Sequence, residues 1–340
     1  MFIKDLEKGE ILLESVMARL TDTLELGEQI FEMSPEQLIR KNVCSPIRLF
    51  IKDEPHAEEK SRSKKWRLIS GVGVDDQIID RMLYGVQNKK EILMWDSCPS
   101  KPGIGLDDDG LQTMAATFEE MLQSGPIQST DISGWDWSVQ AWELEFDREC
   151  RRRLNGAPKG SIWDFLSRVR VYCLRHKVFC LPDGSLVAQE IDGIQASGHY
   201  NTSSTNSRMR VGARIMVKIL RHVRDQTLRA DFNEEEAMNV VSMGDDCVEG
   251  YLDEHDLKIY EELGHTVKEV TTYEKLAGVN FCSQEWRADG LAHSLTQFKT
   301  LFRFFSHPLS SDQYPCWLTQ LLNEFRNHPE LERYSRIASA

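Results

Sequence analysis

The sequence predicts an α+β protein whose antiparallel sheet is backed by helices, and three observations predict it. Two short apolar runs, residues 238–243 and 247–251, flank the tight turn Gly244-Asp245-Asp246 and read as a hairpin. A third apolar run, residues 127–131, follows the break Gly125-Pro126 and ends on an aspartate. Around these strands, residues 111–123, 138–154 and 161–174 place apolar side chains at helical spacing. Short strands interleaved with amphipathic helices form a helix layer on a sheet.

Taken in order, residues 1–40 read as helical, with Leu13, Val16, Met17 and Leu20 on one stripe. Residues 44–50 are strand-like, and the charged segment KDEPHAEEKSRSKKWRLI follows. Helical spacing resumes over 74–86, and residues 97–110 form a Pro- and Gly-containing loop closed by three aspartates. Helix 111–123 stops at Gly125-Pro126, and helix 138–154 stops at Asn155-Gly156. After helix 161–174, residues 178–181 and 186–191 flank Pro182-Asp183-Gly184-Ser185 as a hairpin. The loop IQASGHYNTSS runs into a helix that continues to Val223. Beyond the acidic hairpin come a helix over 254–263, strands near 266–270 and 279–283, and a mostly helical tail, 291–340, with proline breaks.

With 340 residues the chain can bury a large core and form two or three subdomains. Its net charge of −13 argues against coating nucleic acid indiscriminately, but a global sum does not exclude one basic channel. The eight cysteines are scattered without a CxxC pair, which suits free thiols in a reducing compartment. Cys173, His176 and Cys180 lack a fourth ligand at useful spacing and read as strand side chains. The first residues mix charges throughout, unlike a signal peptide, and no long uncharged apolar window predicts a membrane span. The expected location is the cytosol.

Adjacent aspartates on a hairpin tip raise each other's pKa, and a turn alone gives no return for that cost. A divalent cation with a taste for hard oxygen ligands, Mg²⁺ or Mn²⁺, removes the repulsion. Asp245 and Asp246 are therefore candidate ligands, with Gly244 supplying the backbone freedom of the turn. In STDISGWDWS, Asp131 ends a strand and Asp136 follows. If that strand lies beside the hairpin, Asp131, Asp245 and Asp246 converge, and two ions about 3.5–4 Å apart could serve displacement at phosphorus. Taken singly, each aspartate could equally be a helix cap or a turn residue.

Thr202 and Asn206 are four residues apart, so on a helix they face the same way. Together they could sense a ribose 2′-hydroxyl, which both donates and accepts. Ser197 and Gly198 ahead of them would give a loop with exposed N–H groups for template or phosphate, although a polar helix start has the same composition. Lys52, Lys60, Arg62, Lys64, Lys65 and Arg67 form the strongest basic run and could meet a triphosphate. Glu58 and Glu59 inside that run equally fit a solvated loop. Lys268, on the strand after the acidic hairpin, could protonate a departing pyrophosphate.

In this order, KDEPH…RLI, DISGWDWS, SGHYNTSSTNSRMR, SMGDDCVEG, GHTVKEV and the FCS run resemble the RNA-dependent RNA polymerases of positive-strand RNA viruses. The runs DISGWDWS, SGHYNTSSTNSRMR and KPGIGL are most similar to the sobemovirus and polerovirus type, and the resemblance covers roughly residues 44–285. It implies a right-hand polymerase fold of fingers, palm and a small thumb. The expected divisions are fingers over 1–126, the first acidic palm motif over 127–138, a palm helix with a fingers insertion over 139–190, palm over 191–290 and a short thumb over 291–340.

By motif position the resemblance makes Asp131, Asp245 and Asp246 ligands of two Mg²⁺ or Mn²⁺ ions and Lys268 the acid. Asp136 and Asn206 would select the ribose, supported by Ser197, Gly198 and Thr202. Lys52, Lys60 and Arg67 would line the path of the incoming nucleotide, and Phe281, Cys282 and Ser283 would grip the primer. The implied partners are an RNA template and nascent strand, ribonucleoside triphosphates, a protein primer and other viral replication proteins, at replication complexes in the host cytoplasm. In that group the polymerase is usually released from a polyprotein. A reverse transcriptase shares the palm, but Gly244, Asn206 and Asp136 favour ribonucleotides. An inactive RNA-binding scaffold would have no use for three clustered carboxylates.

Overall fold

The computed structural model describes residues 6–54, 58–224, 232–306, 310 and 312–339. The N-terminal region starts with helices α1 (Leu6–Leu26) and α2 (Pro35–Arg40). Helical structure does not run unbroken over the segment expected to be helical. A tight 3-10 turn follows α1 from Gly27, and Ser34 caps α2 through the Gln37 amide, with Pro35 in its first turn. The expected apolar stripe of α1 also divides. Val16 is buried while Leu13 and Met17 face outward, because buried Arg19 sets the inner face by pairing with Asp76 at 3.0 Å.

Strand β1 (Ile47–Ile51), short helix α3 (Glu58–Arg62), strand β2 (Leu68–Gly71) and helix α4 (Val74–Leu93) come next. Helix α5 (Asp108–Gln123) starts three residues before the expected position, since Asp107 caps it through the Gly110 amide at 2.9 Å. Then follow β3 (Ile127–Ile132), the single turn α6 (Trp135–Ser138), α7 (Ala141–Leu154), α8 (Ile162–Arg175), β4 (Val178–Cys180) and β5 (Leu186–Ala188). The helix expected over 138–154 thus starts at Ala141, where Gln140 begins a capping box with Glu143, and Ser138 instead ends the separate turn α6.

The long helix α9 (Thr202–Arg224) precedes α10 (Glu234–Met238) and the hairpin β6 (Val240–Met243) to β7 (Asp246–Gly250). Helix α11 (Glu254–Glu262) leads to β8 (Val267–Tyr273). The small strands β9 (Asn280–Phe281), β10 (Gln284–Trp286) and β11 (Ala292–Ser294) precede α12 (Gln297–Phe305), α13 (Tyr314–Glu324) and α14 (Leu331–Ser339). No described helix is long and apolar enough to cross a membrane.

The central sheet has the order β6-β7-β3-β8, with every neighbouring pair antiparallel. Side-chain alternation gives it two different faces. Ile127 and Val248 join Leu111, Met114, Phe118, Phe281 and Trp286 in a core beneath α5 and the β9–β10 hairpin. Cys247 and Glu249 face the opposite way, towards α9, where Val211 and Val240 pack on Cys247. Glu249 is fully buried there and accepts hydrogen bonds from Thr130 Oγ1 at 2.6 Å and Tyr260 Oη at 2.9 Å. Arg210 donates to Thr130 at 2.6 Å, so a buried polar network ties β3 and β7 to α9 and α11. A second sheet, β2-β1-β4-β5, includes one parallel pair, β1 with β4. Helices α12–α14 close on their own cluster of Leu321, Phe325 and Tyr334.

Candidate active site

The register of the central sheet brings the acidic residues together. Thr130 pairs with Cys247, so Asp131, one residue on, and Asp246, one residue back, come out at the same end of neighbouring strands. Met243 pairs with Asp246, which leaves Gly244 and Asp245 as a two-residue loop. Gly244 has φ +65°, the left-handed region that glycine enters without strain. Its amide donates to Ser207 Oγ of α9 at 2.8 Å, fixing the turn against the helix.

Asp131 and Asp246 line one cavity of about 130 Å³ with Ser129, Glu269, Thr271 and Phe281. Asp246 is reached by solvent, but protein crowds it. That crowding first, and then repulsion from Asp245 and Asp131, pushes its carboxyl up to about 6. Among the described residues, no three Asp, Glu, His or Cys side chains stand close enough to cage an ion. Asp131 is taken by Lys268, whose Nζ lies 2.6 Å from Oδ2. Asp131 pairs with Glu269 and Ile132 with Val267, so Lys268 is the extra residue of a β-bulge that re-aims its side chain. Lys268, on the edge strand β8, therefore stands beside the acidic end of β3.

Asp136 and Asn206 meet directly, with Asn206 Nδ2 donating to Asp136 Oδ1 at 3.1 Å. Partial burial raises the Asp136 pKa, the Asn206 hydrogen bond lowers it, and the charge of Asp245 raises it further. The Thr202 hydroxyl is engaged elsewhere. Its Oγ1 donates to the carbonyls of His199 (2.8 Å) and Ala196 (3.1 Å), closing the loop before α9.

Ser197 and Gly198 also differ from the expected open loop. Ser197 Oγ donates to the Leu68 carbonyl at 3.3 Å, and a Cβ at Gly198 would lie 1.9 Å from the Ser70 carbonyl oxygen. The two residues thus clamp β2, Ser197 through its hydroxyl and Gly198 by close backbone approach.

The basic segment converges on a residue that sequence reasoning passed over. Glu54, whose side chain is 3% exposed, pairs with Lys52 at 3.0 Å and Arg67 at 3.2 Å. From α12, Lys299 reaches it at 3.1 Å and Arg303 at 3.5 Å. Burial alone would raise the Glu54 pKa, but hydrogen bonds from Lys52 and Lys299, with their charges, outweigh it and hold the carboxyl at about 2. Arg67 also lowers the pKa of both Asp136 and Asp246, so its field extends into the acidic cleft. Lys60 lies in α3, and its side chain is outside the described residues.

The FCS run turns out to be mainly a turn. Phe281 is a core residue at 2% exposure, with its ring 5.9 Å from that of Phe118, and it meets the acidic cleft only as part of the cavity lining. Cys282 and Ser283 have φ of 52° and 58° and form the tip joining β9 to β10. Burial, with added repulsion from Asp246 and Asp245, raises the Cys282 thiol pKa, which places the tip beside the acidic cleft.

Glu54, Glu269, Lys299 and Arg303 are the site residues missing from the sequence reading. Two signals could have found two of them. Glu54 sits inside KDEPH, and Glu269 follows Lys268 on a strand facing Asp131.

Comparison with known proteins agrees with this geometry. Residues 10–300 match the family model described as viral RNA-directed RNA-polymerase. The "RNA-directed RNA polymerase" of Mushroom bacilliform virus is 40% identical over 98% of this chain and 77% of its own length. The "Replicase polyprotein P2AB" of Cocksfoot mottle virus is 36% identical over 96% of this chain, which spans 32% of that polyprotein. "Protein P1-P2" of Potato leafroll virus is 36% identical over 93% of this chain and 29% of its own length. In fold, the crystal structure of the RNA-dependent RNA polymerase of a human picorbirnavirus aligns with a TM-score of 0.64 at 14% identity. The alignment covers 86% of this chain and 55% of that one. The chain belongs to the viral RNA-directed RNA polymerase family, in its sobemovirus- and polerovirus-like group, and has the right-hand polymerase fold.

Proposed function

We propose that the chain extends an RNA 3′ end on an RNA template with ribonucleoside triphosphates, and that the cleft between β3 and the β6–β7 turn is where it does so. The observation that carries this reading is the meeting of Asp131 and Asp246 on one cavity, with the Asn206–Asp136 pair alongside. An all-carboxylate donor set fits hard divalent cations, and repulsion from Asp245 and Asp131 adds to burial in raising the Asp246 pKa. Asp131, Asp245 and Asp246 would hold two Mg²⁺ or Mn²⁺ ions, which when bound acidify the attacking hydroxyl and offset charge on pyrophosphate.

The chain's own groups do the rest. Arg67 and Lys52 draw in the triphosphate, exchanging part of their pairing with Glu54 for phosphate oxygens. The 3′-hydroxyl loses its proton to solvent as its oxygen attacks the α-phosphorus, the bond from that phosphorus to the αβ-bridging oxygen breaks, and Lys268 gives the departing oxygen a proton. Asp136 and Asn206 read the 2′-hydroxyl, which a deoxynucleotide lacks. In this reading the central sheet is the palm, the β2-β1-β4-β5 region belongs to the fingers and α12–α14 form the thumb. A protein primer and other replication proteins fit a chain whose relatives include replicase polyproteins.

The test is extension of a primed RNA template by the purified chain with Mg²⁺ or Mn²⁺, beside D131A and D245A. Metal-dependent extension by the parent, lost in both variants while RNA binding is kept, is the expected result. Extension that survives D245A would overturn the assignment.

A further inference from the structure

We propose that His265 is a positioning residue for ribose selection, acting by holding the one-turn helix α6 that carries Asp136. The inference rests on the reading of Asp136 given above.

Asp136 lies between two residues that His265 grips. On one side, the Trp135 ring stacks on the imidazole with centroids 4.8 Å apart and planes 22° from parallel. On the other, Ser138 Oγ lies 3.0 Å from His265 Nδ1. The remaining ring nitrogen, Nε2, lies 3.0 Å from Glu143 Oε1. Glu143 spends its other oxygen accepting the Gln140 amide at 2.8 Å, which starts α7. His265 and Glu143 are both fully buried, so each group is bonded at the cost of leaving water, and neither can reach substrate.

Such a chain can only act through what it holds. It holds one short turn, four residues preceded by Gly134 at φ +59°, which is also tied by Gln195 N donating to the Asp136 carbonyl at 2.8 Å and by the Arg210 guanidinium over the Trp135 ring. Two further contacts lock the same junction. Gly264 presses on the Gln140 side chain so closely that a Cβ would sit 2.5 Å from its Nε2, and Ser133 N donates to the Thr266 carbonyl at 2.9 Å. His265 thus joins the turn bearing Asp136 to the start of β8, the strand bearing Lys268. A small tilt of α6 would move the Asp136 carboxylate off Asn206 while leaving the aspartates of the β6–β7 turn where they are.

The test compares kcat/KM for each ribonucleotide with that of its 2′-deoxy counterpart in S138A, H265N, H265A and D136A, each checked for folding by circular dichroism. H265A is the variant in danger of not folding. S138A removes a single hydroxyl and keeps the His265–Glu143 contact, so it carries the test if H265A fails to fold. S138A and H265A should lose about five- to tenfold in discrimination, the size expected for one lost hydrogen bond that orients a reading group. H265N, which can still bond Ser138, should recover part of it. Folded S138A and H265A with parental discrimination would overturn the proposal, even if their overall rate fell. D136A separates the two levels. If it discriminates as the parent does, the ribose reading itself has failed and this inference falls with it.

Discussion

Ser207 and Gly244 are joined directly, the Gly244 amide donating to Ser207 Oγ at 2.8 Å, and Ser207 in turn donates to the Ser203 carbonyl at 2.8 Å. Its neighbour Asn206 holds Asp136. The acidic turn and the polar start of α9 are therefore one mechanical unit. In S207A the Gly244 amide loses its acceptor in a half-buried place, at a cost of about 1–3 kcal/mol. The expected outcome is a lower unfolding midpoint in urea and a fall of roughly tenfold in kcat for single-nucleotide extension. The nucleotide KM should change little, because the groups that face the triphosphate are untouched. A KM effect larger than the kcat effect would contradict this.

Lys268 offers a separate test of chemistry against stability. Its ion pair with Asp131 is about half exposed at both ends, and such pairs contribute roughly 0–1 kcal/mol. K268A should accordingly unfold within about 1 kcal/mol of the parent. If the lysine protonates pyrophosphate, the rate of the chemical step should fall by about 10²-fold or more. Rapid-quench measurement of one addition reads that step apart from translocation. A rate within twofold of the parent would remove Lys268 from the chemistry.

How much of this could be read beforehand follows from range. The α+β class, the acidic hairpin and the strand ending at Asp131 are encoded by periodicity and by punctuation such as Gly125-Pro126, which are local signals. Motif order paired Asp136 with Asn206 in role, and the direct hydrogen bond between them is visible only in the fold. What sequence could not show are contacts made at long range. The pairing of Glu54 with Lys299 and Arg303 joins residues far apart in the chain, and nothing near Glu54 announces α12. Ser197 and Gly198 illustrate the reverse error. Their small side chains fit a mobile phosphate loop and a close-packed backbone crossing equally well, and only the approach of Ser70 decides between them. Phe281 was assigned to a surface role by its motif, whereas Phe118 and Trp286 draw it into the core.

Two glycines of the site should answer substitution differently. At Gly198 an added Cβ would meet the Ser70 carbonyl oxygen at 1.9 Å, a backbone atom that cannot swing aside. G198A must shift β2 or the loop before α9, and overpacking of this kind costs about 1–3 kcal/mol or more. At Gly244 nothing lies within 4 Å of an added Cβ, so only the left-handed φ of +65° resists it. G244A should lose about 1–2 kcal/mol from that strain. Urea unfolding should rank G198A as the less stable variant. G198A should also weaken the basic segment, since β2 leads directly from Arg67.

Glu54 gives a prediction in pH. Its carboxyl is held at about 2, below the ordinary 4.5, so its pairing contributes fully to stability above about 4.5 and is lost as pH falls towards 2. The sign follows from proton counts: between those two values the unfolded chain binds the proton more readily, so lowering the pH favours unfolding. E54Q removes the charge and leaves Lys52, Arg67, Lys299 and Arg303 facing one another. It should melt below the parent at neutral pH, with a gap that stays constant down to about 5 and narrows only under acid conditions. Melting curves of both proteins across that range read the gap directly. A gap that stays the same from neutral pH down to about 2 would mean that Glu54 titrates near its ordinary value in the folded protein and that the four cations do not converge on it in solution. Because Lys299 and Arg303 lie on α12 while Lys52 and Arg67 flank β1 and β2, E54Q should also loosen that contact, read as faster proteolysis between β11 and α13.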